Sequence, residues 1–165
     1  MTMLRLLSLM MVLLLGACAS QPPFSPDMLQ GVDVNFAPRD ALRDSGREVK
    51  VMWGGMVVDA ANFADHTDFT ILSYPLDKEQ QPDLDKAPGP RFIARYPGYV
   101  ETMIYQPNRV VTVVGTFQDL EEGKIGQAKY QFPVVKTAKI FLWPADNTNS
   151  SRVRFGFGLG VGVRM

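Results

Sequence analysis

Hydrophobic and polar positions alternate with a period of two along most of the middle of the chain. A first strand is predicted from Glu48 to Val58, because Val49, Val51 and Trp53 fall on one face. The pair Gly54-Gly55 lies inside this strand and predicts a bulge or a sharp bend, of the kind that a small barrel needs at a corner.

Several further segments predict short strands: Phe69–Tyr74, Phe92–Tyr96, Arg109–Phe117, Lys124–Val135 and Thr137–Trp143. The clearest of them is Arg109–Phe117, because it is rich in β-branched residues. About six strands with one short helical segment at Glu101–Tyr105 predict an all-β fold. The order favours a small closed or partly open β-barrel that is OB-like. A curled open sheet or a sandwich would give much the same pattern.

The connections between these strands are polar and rich in turn-forming residues. A polar turn is predicted at Asp59–Asp68, a long loop at Pro75–Pro90 and a hairpin around Glu121-Glu122-Gly123. A short helix is predicted at Asp40–Arg43, ahead of the first strand.

The N-terminus has a different pattern, with Arg5 followed by an apolar run from Leu6 to Leu15 that only Ser8 interrupts. As a helix this run would span about 15 Å, which is roughly half of a bilayer core. Its length is typical of the apolar region of a secretory signal.

Small residues then lead directly to the cysteine, in the order Leu15-Gly16-Ala17-Cys18. This arrangement resembles the bacterial lipobox. The resemblance implies cleavage after Ala17, diacylglycerol on the Cys18 thiol and acylation of the new amine. Two or more acyl chains hold a protein firmly at a membrane. The alternative is an apolar helix with an incidental cysteine in a cytosolic protein.

These patterns divide the chain into a signal peptide at 1–17, a lipidated tether with an N-terminal segment at 18–47, a β domain at 48–144 and a Gly-rich tail at 145–165. Ala19, where an aspartate would favour the inner membrane, implies the outer membrane by the usual sorting rule. The tail alternates apolar residues with glycine, which fits a flexible segment or a ribbon on the membrane surface.

Charge and composition narrow the function. Lys and Arg together number 17, as do Asp and Glu, so nothing favours a nucleic-acid partner. With only Cys18 and His66, the chain cannot form an internal disulfide or a multi-histidine metal site. No cofactor is expected besides the covalent lipid, and no motif indicates catalytic residues.

Each remaining candidate site is weighed against an ordinary structural role, and the ordinary role is favoured in each case. The loop acids Asp77, Glu79, Asp83 and Asp85 lack the spacing of a calcium loop and favour a solvated loop. His66 could act as a base or a pH sensor, although a lone turn histidine is more often ordinary surface. Among the aromatic residues, a possible ligand face comprises Trp53, Tyr74, Tyr99 and Trp143, against the alternative that they fill the core.

A family resemblance rests on the order of several motifs. They are Val51–Gly55, Thr70–Leu72, Tyr74–Asp77, Arg91–Ala94, Gly98-Tyr99, Arg109–Gly115, Phe132–Val135 and Leu142-Trp143. Together they resemble the Slp family of outer-membrane lipoproteins. The resemblance implies an envelope lipoprotein associated with starvation or acid stress, with no catalytic residues to carry over.

The sequence therefore predicts a non-enzymatic lipoprotein with a structural or adaptor role. It is expected to sit at the periplasmic face of the outer membrane, with the membrane as partner through its lipid and with envelope proteins as possible further partners. Two alternatives remain: a periplasmic OB-like module that binds a saccharide or peptide, and a hydrolase whose site is assembled in space. The sequence does not define the oligomeric state.

Overall fold

The computed structural model describes residues 22–145. Five strands form a closed barrel in the order β1-β2-β3-β5-β4. In chain order the elements are α1 (Pro38–Ala41), β1 (Val49–Asn62), β2 (His66–Tyr74), β3 (Arg91–Pro97), a 3-10 turn (Thr102–Tyr105), β4 (Val110–Ile125) and β5 (Ala128–Leu142).

Antiparallel pairs join neighbouring strands, except for the parallel β3–β5 pair that closes the barrel. The first half of β1 pairs with β4 and its second half with β2, so this strand bends around a corner. These pairings, with a helical turn between β3 and β4, confirm the all-β, OB-like prediction.

Several boundaries differ from the sequence prediction. The polar turn expected at Asp59–Asp68 is shorter, because β1 continues to Asn62 and β2 begins at His66. The segment expected at Lys124–Val135 includes the end of β4 and the hairpin turn. Its remainder from Ala128 joins the segment expected at Thr137–Trp143 in one strand, β5, so the barrel has five strands. The hairpin turn lies at Gly126, whose φ of +60° suits glycine, and not at Gly123.

Buried side chains from all five strands and from the N-terminal segment form one core: Phe36, Ala41, Val49, Val51, Trp53, Val57, Phe69, Ile71, Phe92, Ala94, Val111, Val113, Phe117 and Val135. Two of these residues, Phe36 and Ala41, precede the first strand. The N-terminal segment is therefore part of the packed barrel. The expected helix is present as α1, two residues earlier than the pattern placed it.

The paired ends of β4 and β5 continue beyond the closed part of the barrel. We call Asp119–Pro133 the β4–β5 arm; its strands pair from Leu120↔Pro133 to Ile125↔Ala128. On the arm Phe132 packs over Gly123, where a Cβ atom would lie 2.8 Å from the phenyl ring.

Candidate functional site

A groove of about 610 Å³ lies where the loop after β2 crosses the outside of β1. Its wall combines the N-terminal segment, β1, the end of β2 and the loop, and includes Phe36, Trp53, Tyr74 and Leu76. Two exposed cations, Arg39 and Lys78, also line it. The exposed carboxylate of Asp77 lies at the rim as well, so the groove is largely apolar with mixed charge at its edge.

Trp53 contributes only an edge of this wall, because the inward face of β1 directs its ring into the core. The side chain is 4% exposed and packs against Phe36, Phe92 and Phe117. Its Nε1 donates a hydrogen bond of 2.6 Å to the carbonyl oxygen of Phe36. Neither face of the indole is open for stacking on a sugar or base.

Tyr74 is the last residue of β2 and pairs with Gly54 of β1. The loop packs directly on Gly54, since a Cβ there would lie 2.8 Å from Leu76 and 2.9 Å from Pro82. The close approach of the loop explains why residue 54 is glycine, which a bend in β1 alone would not require. It also fixes the loop as one side of the groove beside the half-buried Tyr74.

The other two aromatic residues of the predicted ligand face lie elsewhere. Trp143 follows β5, where its Nε1 donates 3.0 Å to Thr112 Oγ1 and its ring packs on Phe141. It lines a separate open cavity of about 520 Å³. Tyr99 follows β3, is 72% exposed, and its hydroxyl lies 3.4 Å from Glu101 Oε2.

The structure therefore brings Trp53 and Tyr74 to one groove and separates both from Tyr99 and Trp143. A ligand face built from all four does not exist as one surface. Binding in the groove of Trp53 and Tyr74 stays a prediction.

The loop acids surround the second cavity, where Asp77, Asp83 and Asp85 line the wall. Backbone amides occupy two of these carboxylates: Gln81 N donates to Asp77 and Asp85 N to Asp83. Glu79 is 3.4 Å from Lys78. Within residues 22–145 no group of three or more His, Cys, Asp or Glu side chains is placed to hold a metal ion.

An ionic cluster on the outside of the barrel was not predicted from the sequence. Arg95 on β3 donates from Nε and Nη2 to the two carboxylate oxygens of Asp68 on β2, at 2.9 and 2.7 Å. A further bond of 3.0 Å joins Arg95 to Glu121 of the β4–β5 arm. These hydrogen bonds, with that of Asp68 first, raise the pKa of Arg95 above its usual range. The partners are distant in sequence, so no local spacing indicates them.

His66 extends this cluster. Its Nδ1 lies 2.7 Å from Asp65 and its Nε2 lies 3.6 Å from Asp68, while its ring stacks on Phe63. The hydrogen bond from His66, and then its charge, lower the pKa of Asp65. In the described part of the chain no serine or threonine is hydrogen-bonded to His66.

A second unpredicted feature fixes the beginning of the described chain. Phe24 is 1% exposed and packs edge-on against Phe141 of β5. The side-chain amide of buried Gln80 holds its backbone: Phe24 N donates 3.0 Å to Gln80 Oε1, and Gln80 Nε2 donates 3.1 Å to Phe24 O. The backbone oxygen of Gln80 in turn accepts 2.8 Å from Thr112. We call this arrangement the Phe24–Gln80 clamp.

The predicted cleavage and lipidation residues, Ala17 and Cys18, lie outside the described residues, as does the tail from 146 onward. Among residues 22–145 no helix is both long and apolar enough to cross a membrane.

The fold and its surface thus define a small OB-like barrel with an N-terminal segment packed onto it. The chain matches the family model described as Outer membrane lipoprotein Slp family over residues 15–159. It belongs to the Slp family of outer-membrane lipoproteins, which confirms the resemblance and the outer-membrane location expected from the sequence.

Individual relatives agree with this assignment. Outer membrane protein Slp of Escherichia coli K12 is 30% identical over 136 residues, which cover 79% of this chain and 69% of that protein. An uncharacterized protein of Haemophilus influenzae is 33% identical over 99 residues, 59% of this chain and 54% of the relative. The uncharacterized lipoprotein YeaY of Escherichia coli K12 is 31% identical over 98 residues, 59% of this chain and 49% of its own length.

The match thus spans about half the length of two of these relatives and somewhat more of Slp. No solved structure matches the chain significantly.

Proposed function

We propose that this protein is a structural or adaptor lipoprotein of the outer membrane that works in starvation or stress and catalyses no reaction. Lipid on Cys18 anchors it, and its barrel lies at the periplasmic face. Membership of the Slp family and the lipobox pattern at Ala17-Cys18 support this proposal.

The observation that carries the proposal is the Phe24–Gln80 clamp. A chain whose only purpose is to space a barrel from a membrane has no need to bury an aromatic side chain six positions after the lipid. The clamp leaves only residues 19–23 as a link to Cys18, which favours a barrel held close to the bilayer.

The anchor is tested by intact mass of the protein extracted from membranes, compared with a Cys18→Ala variant. We expect a wild-type mass of residues 18–165 plus lipid, and no lipid on the variant. An unlipidated wild-type chain that still begins at Met1 would contradict the proposal.

The stress role is tested separately, by survival of a deletion strain in starvation and in acid. Restoration by the wild-type gene but not by Cys18→Ala is the expected result. Equal survival of the deletion and parent strains would exclude the role while leaving the anchor intact.

The groove favours a second candidate function, a module that binds a saccharide or peptide. Tyr74 and Leu76 offer apolar contact, and Arg39 and Lys78 offer charge to an acidic group. Cell-wall fragments or acidic peptides titrated into a Trp143→Phe variant should shift the fluorescence of Trp53. Tyr74→Ala should weaken this binding, while Tyr99→Ala, which lies outside the groove, should not. A fluorescence signal that never moves would exclude this candidate.

A further inference from the structure

An exposed apolar patch lies beside the 3-10 turn and the β1–β2 hairpin. We call Phe63, Tyr99, Met103 and Ile104 the end patch; their exposed fractions are 55%, 72%, 69% and 52%. Their loops are joined, since Gly98 N donates 2.9 Å to Asp65 O, and exposed apolar side chains grouped in this way mark a surface that contacts another apolar phase or partner.

The end patch is held in place by its own hydrogen bonds. Asn62 Nδ2 donates 3.1 Å to Val100 O, and Thr67 Oγ1 accepts 3.1 Å from Val100 N. Glu101 accepts from Met103 N at 3.2 Å and so begins the 3-10 turn. The apolar side chains are therefore presented by a fixed backbone.

A series of contacts connects the end patch to the point where the tether meets the barrel. Arg109 donates 3.4 Å to Ile104 O and 3.0 Å to Trp143 O. Trp143 packs on Phe141 with ring centroids 4.9 Å apart, and Phe141 packs on Phe24 at 6.5 Å. The patch and the Phe24–Gln80 clamp are thus joined through the beginning of β4 and the end of β5.

The tether restricts how far this part of the barrel can be from the anchor. Six peptide steps separate Cys18 from Phe24, and a fully extended chain of that length spans at most about 20 Å. With lipid on Cys18, as proposed above, the clamp stays within that distance of the bilayer.

We infer that the end patch rests on the lipid bilayer, with Phe63, Tyr99, Met103 and Ile104 at the level of the headgroups and the first acyl carbons. Aromatic and aliphatic side chains are suited to that depth. The carboxylates of Asp65 and Glu101 stand beside the patch and outnumber the single guanidinium of Arg109, so the lipids it fits are zwitterionic and not anionic. The lipid anchor and the patch then fix the orientation of the barrel.

The test uses the full lipoprotein with a Met103→Cys substitution, reconstituted in phosphatidylethanolamine–phosphatidylcholine vesicles. Lipid on Cys18 leaves the introduced thiol as the sole one for an environment-sensitive fluorophore. Gln127→Cys is the matched control, since it is exposed at the tip of the β4–β5 arm, at the far end of β4 from Arg109. Intact mass of each sample establishes lipidation beforehand.

We expect a blue shift at position 103 and loss of most of its fluorescence with a shallow lipid-borne quencher, and neither effect at position 127. Added phosphatidylglycerol should not increase the quenching. Absence of quenching at 103 in a lipidated sample, or equal quenching at both positions, would overturn the inference. A blue shift without lipid quenching would also overturn it, and would indicate a protein partner or a second copy. An unlipidated mass would overturn the anchor and this inference together.

Discussion

At the scale of single residues, the side chain of Gln80 supplies the backbone hydrogen bonds that a neighbouring strand would otherwise supply. Its side-chain amide pairs with both backbone groups of Phe24, and its own φ of +67° directs it there. Buried backbone groups without partners are costly, so this one side chain adds to the packing of the Phe24 ring in holding Phe24 on the barrel.

Replacing Gln80 with alanine should lower the free energy of unfolding by about 1–3 kcal/mol, because Phe24 N and O lose their partners in a buried place. Alanine keeps the Cβ, so the cost of the positive φ is unchanged. Urea unfolding measures the difference. Gln81→Ala is the control, since no side-chain hydrogen bond of Gln81 is seen within residues 22–145. Equal effects of the two substitutions would contradict the importance of the Phe24–Gln80 clamp.

Asp65 gives a prediction about pH. Its carboxylate is exposed, and its lowered pKa results from the hydrogen bond and charge of His66. A lowered pKa in the folded state contributes stability above the ordinary value, near 4, and loses it as the pH falls through the folded pKa. His66→Ala should therefore raise the pKa of Asp65, as measured by carbon NMR of its carboxyl group. An unchanged titration would show that His66 does not cause the shift.

At the scale of elements, alternation located the strands but not their ends. Val110–Phe117 was found as a strand because its β-branched residues fill an inward face. Its continuation through Asp119–Ile125 was missed, because charged residues on a solvent-exposed arm resemble a turn. The alternation pattern also did not indicate why residue 55 must be glycine. A Cβ there would overlap the carbonyl oxygen of Leu72 across the β1–β2 pair, a distance set by the tertiary fold.

Arg95 links β3 to β2 and to the β4–β5 arm, and its removal should weaken the contacts among all three. Arg95→Ala should lower the free energy of unfolding by about 1–2 kcal/mol, because the largely buried Asp68 loses both of its hydrogen bonds from Arg95 while solvent screens part of the loss. Asp68→Asn in the same chain should recover part of this. Thermal unfolding measures each variant.

The control for Arg95 is Arg91→Ala, on the same outward face of β3. No ion pair of Arg91 is present in the described part of the chain. A loss with Arg91→Ala as large as that with Arg95→Ala would show that the ionic cluster adds no specific stability.

At the scale of the whole molecule, the sequence predicted the fold class and the family. Of the four aromatic residues expected to form a ligand face, only Trp53 and Tyr74 lie in one groove. Each strand of the barrel could be predicted from its own residues, because the strands share a pattern of strand-forming residues. The ionic cluster, the Phe24–Gln80 clamp and the separation of Tyr99 from Tyr74 depend on the closure of the barrel. β2 begins near Tyr99 and ends at Tyr74, so one strand carries these two aromatic positions apart.

Closure also predicts cooperative unfolding. Within the closed part, each strand pairs with two others, so none can leave without breaking two ladders. Far-ultraviolet circular dichroism and the fluorescence of buried Trp53 should show urea transitions with the same midpoint. Two separate midpoints would mean that part of the barrel opens independently.

The β4–β5 arm lies outside this closure, and in the region that the structure covers no other strand pairs with its outer edges. Its two strands carry Glu121, Glu122, Lys124 and Lys129. Open strand edges recruit further strands, and charged side chains oppose this. A lipid-anchored protein is confined to two dimensions, where neighbouring copies meet at high local density. The charges of the arm therefore oppose edge-to-edge association of neighbouring copies.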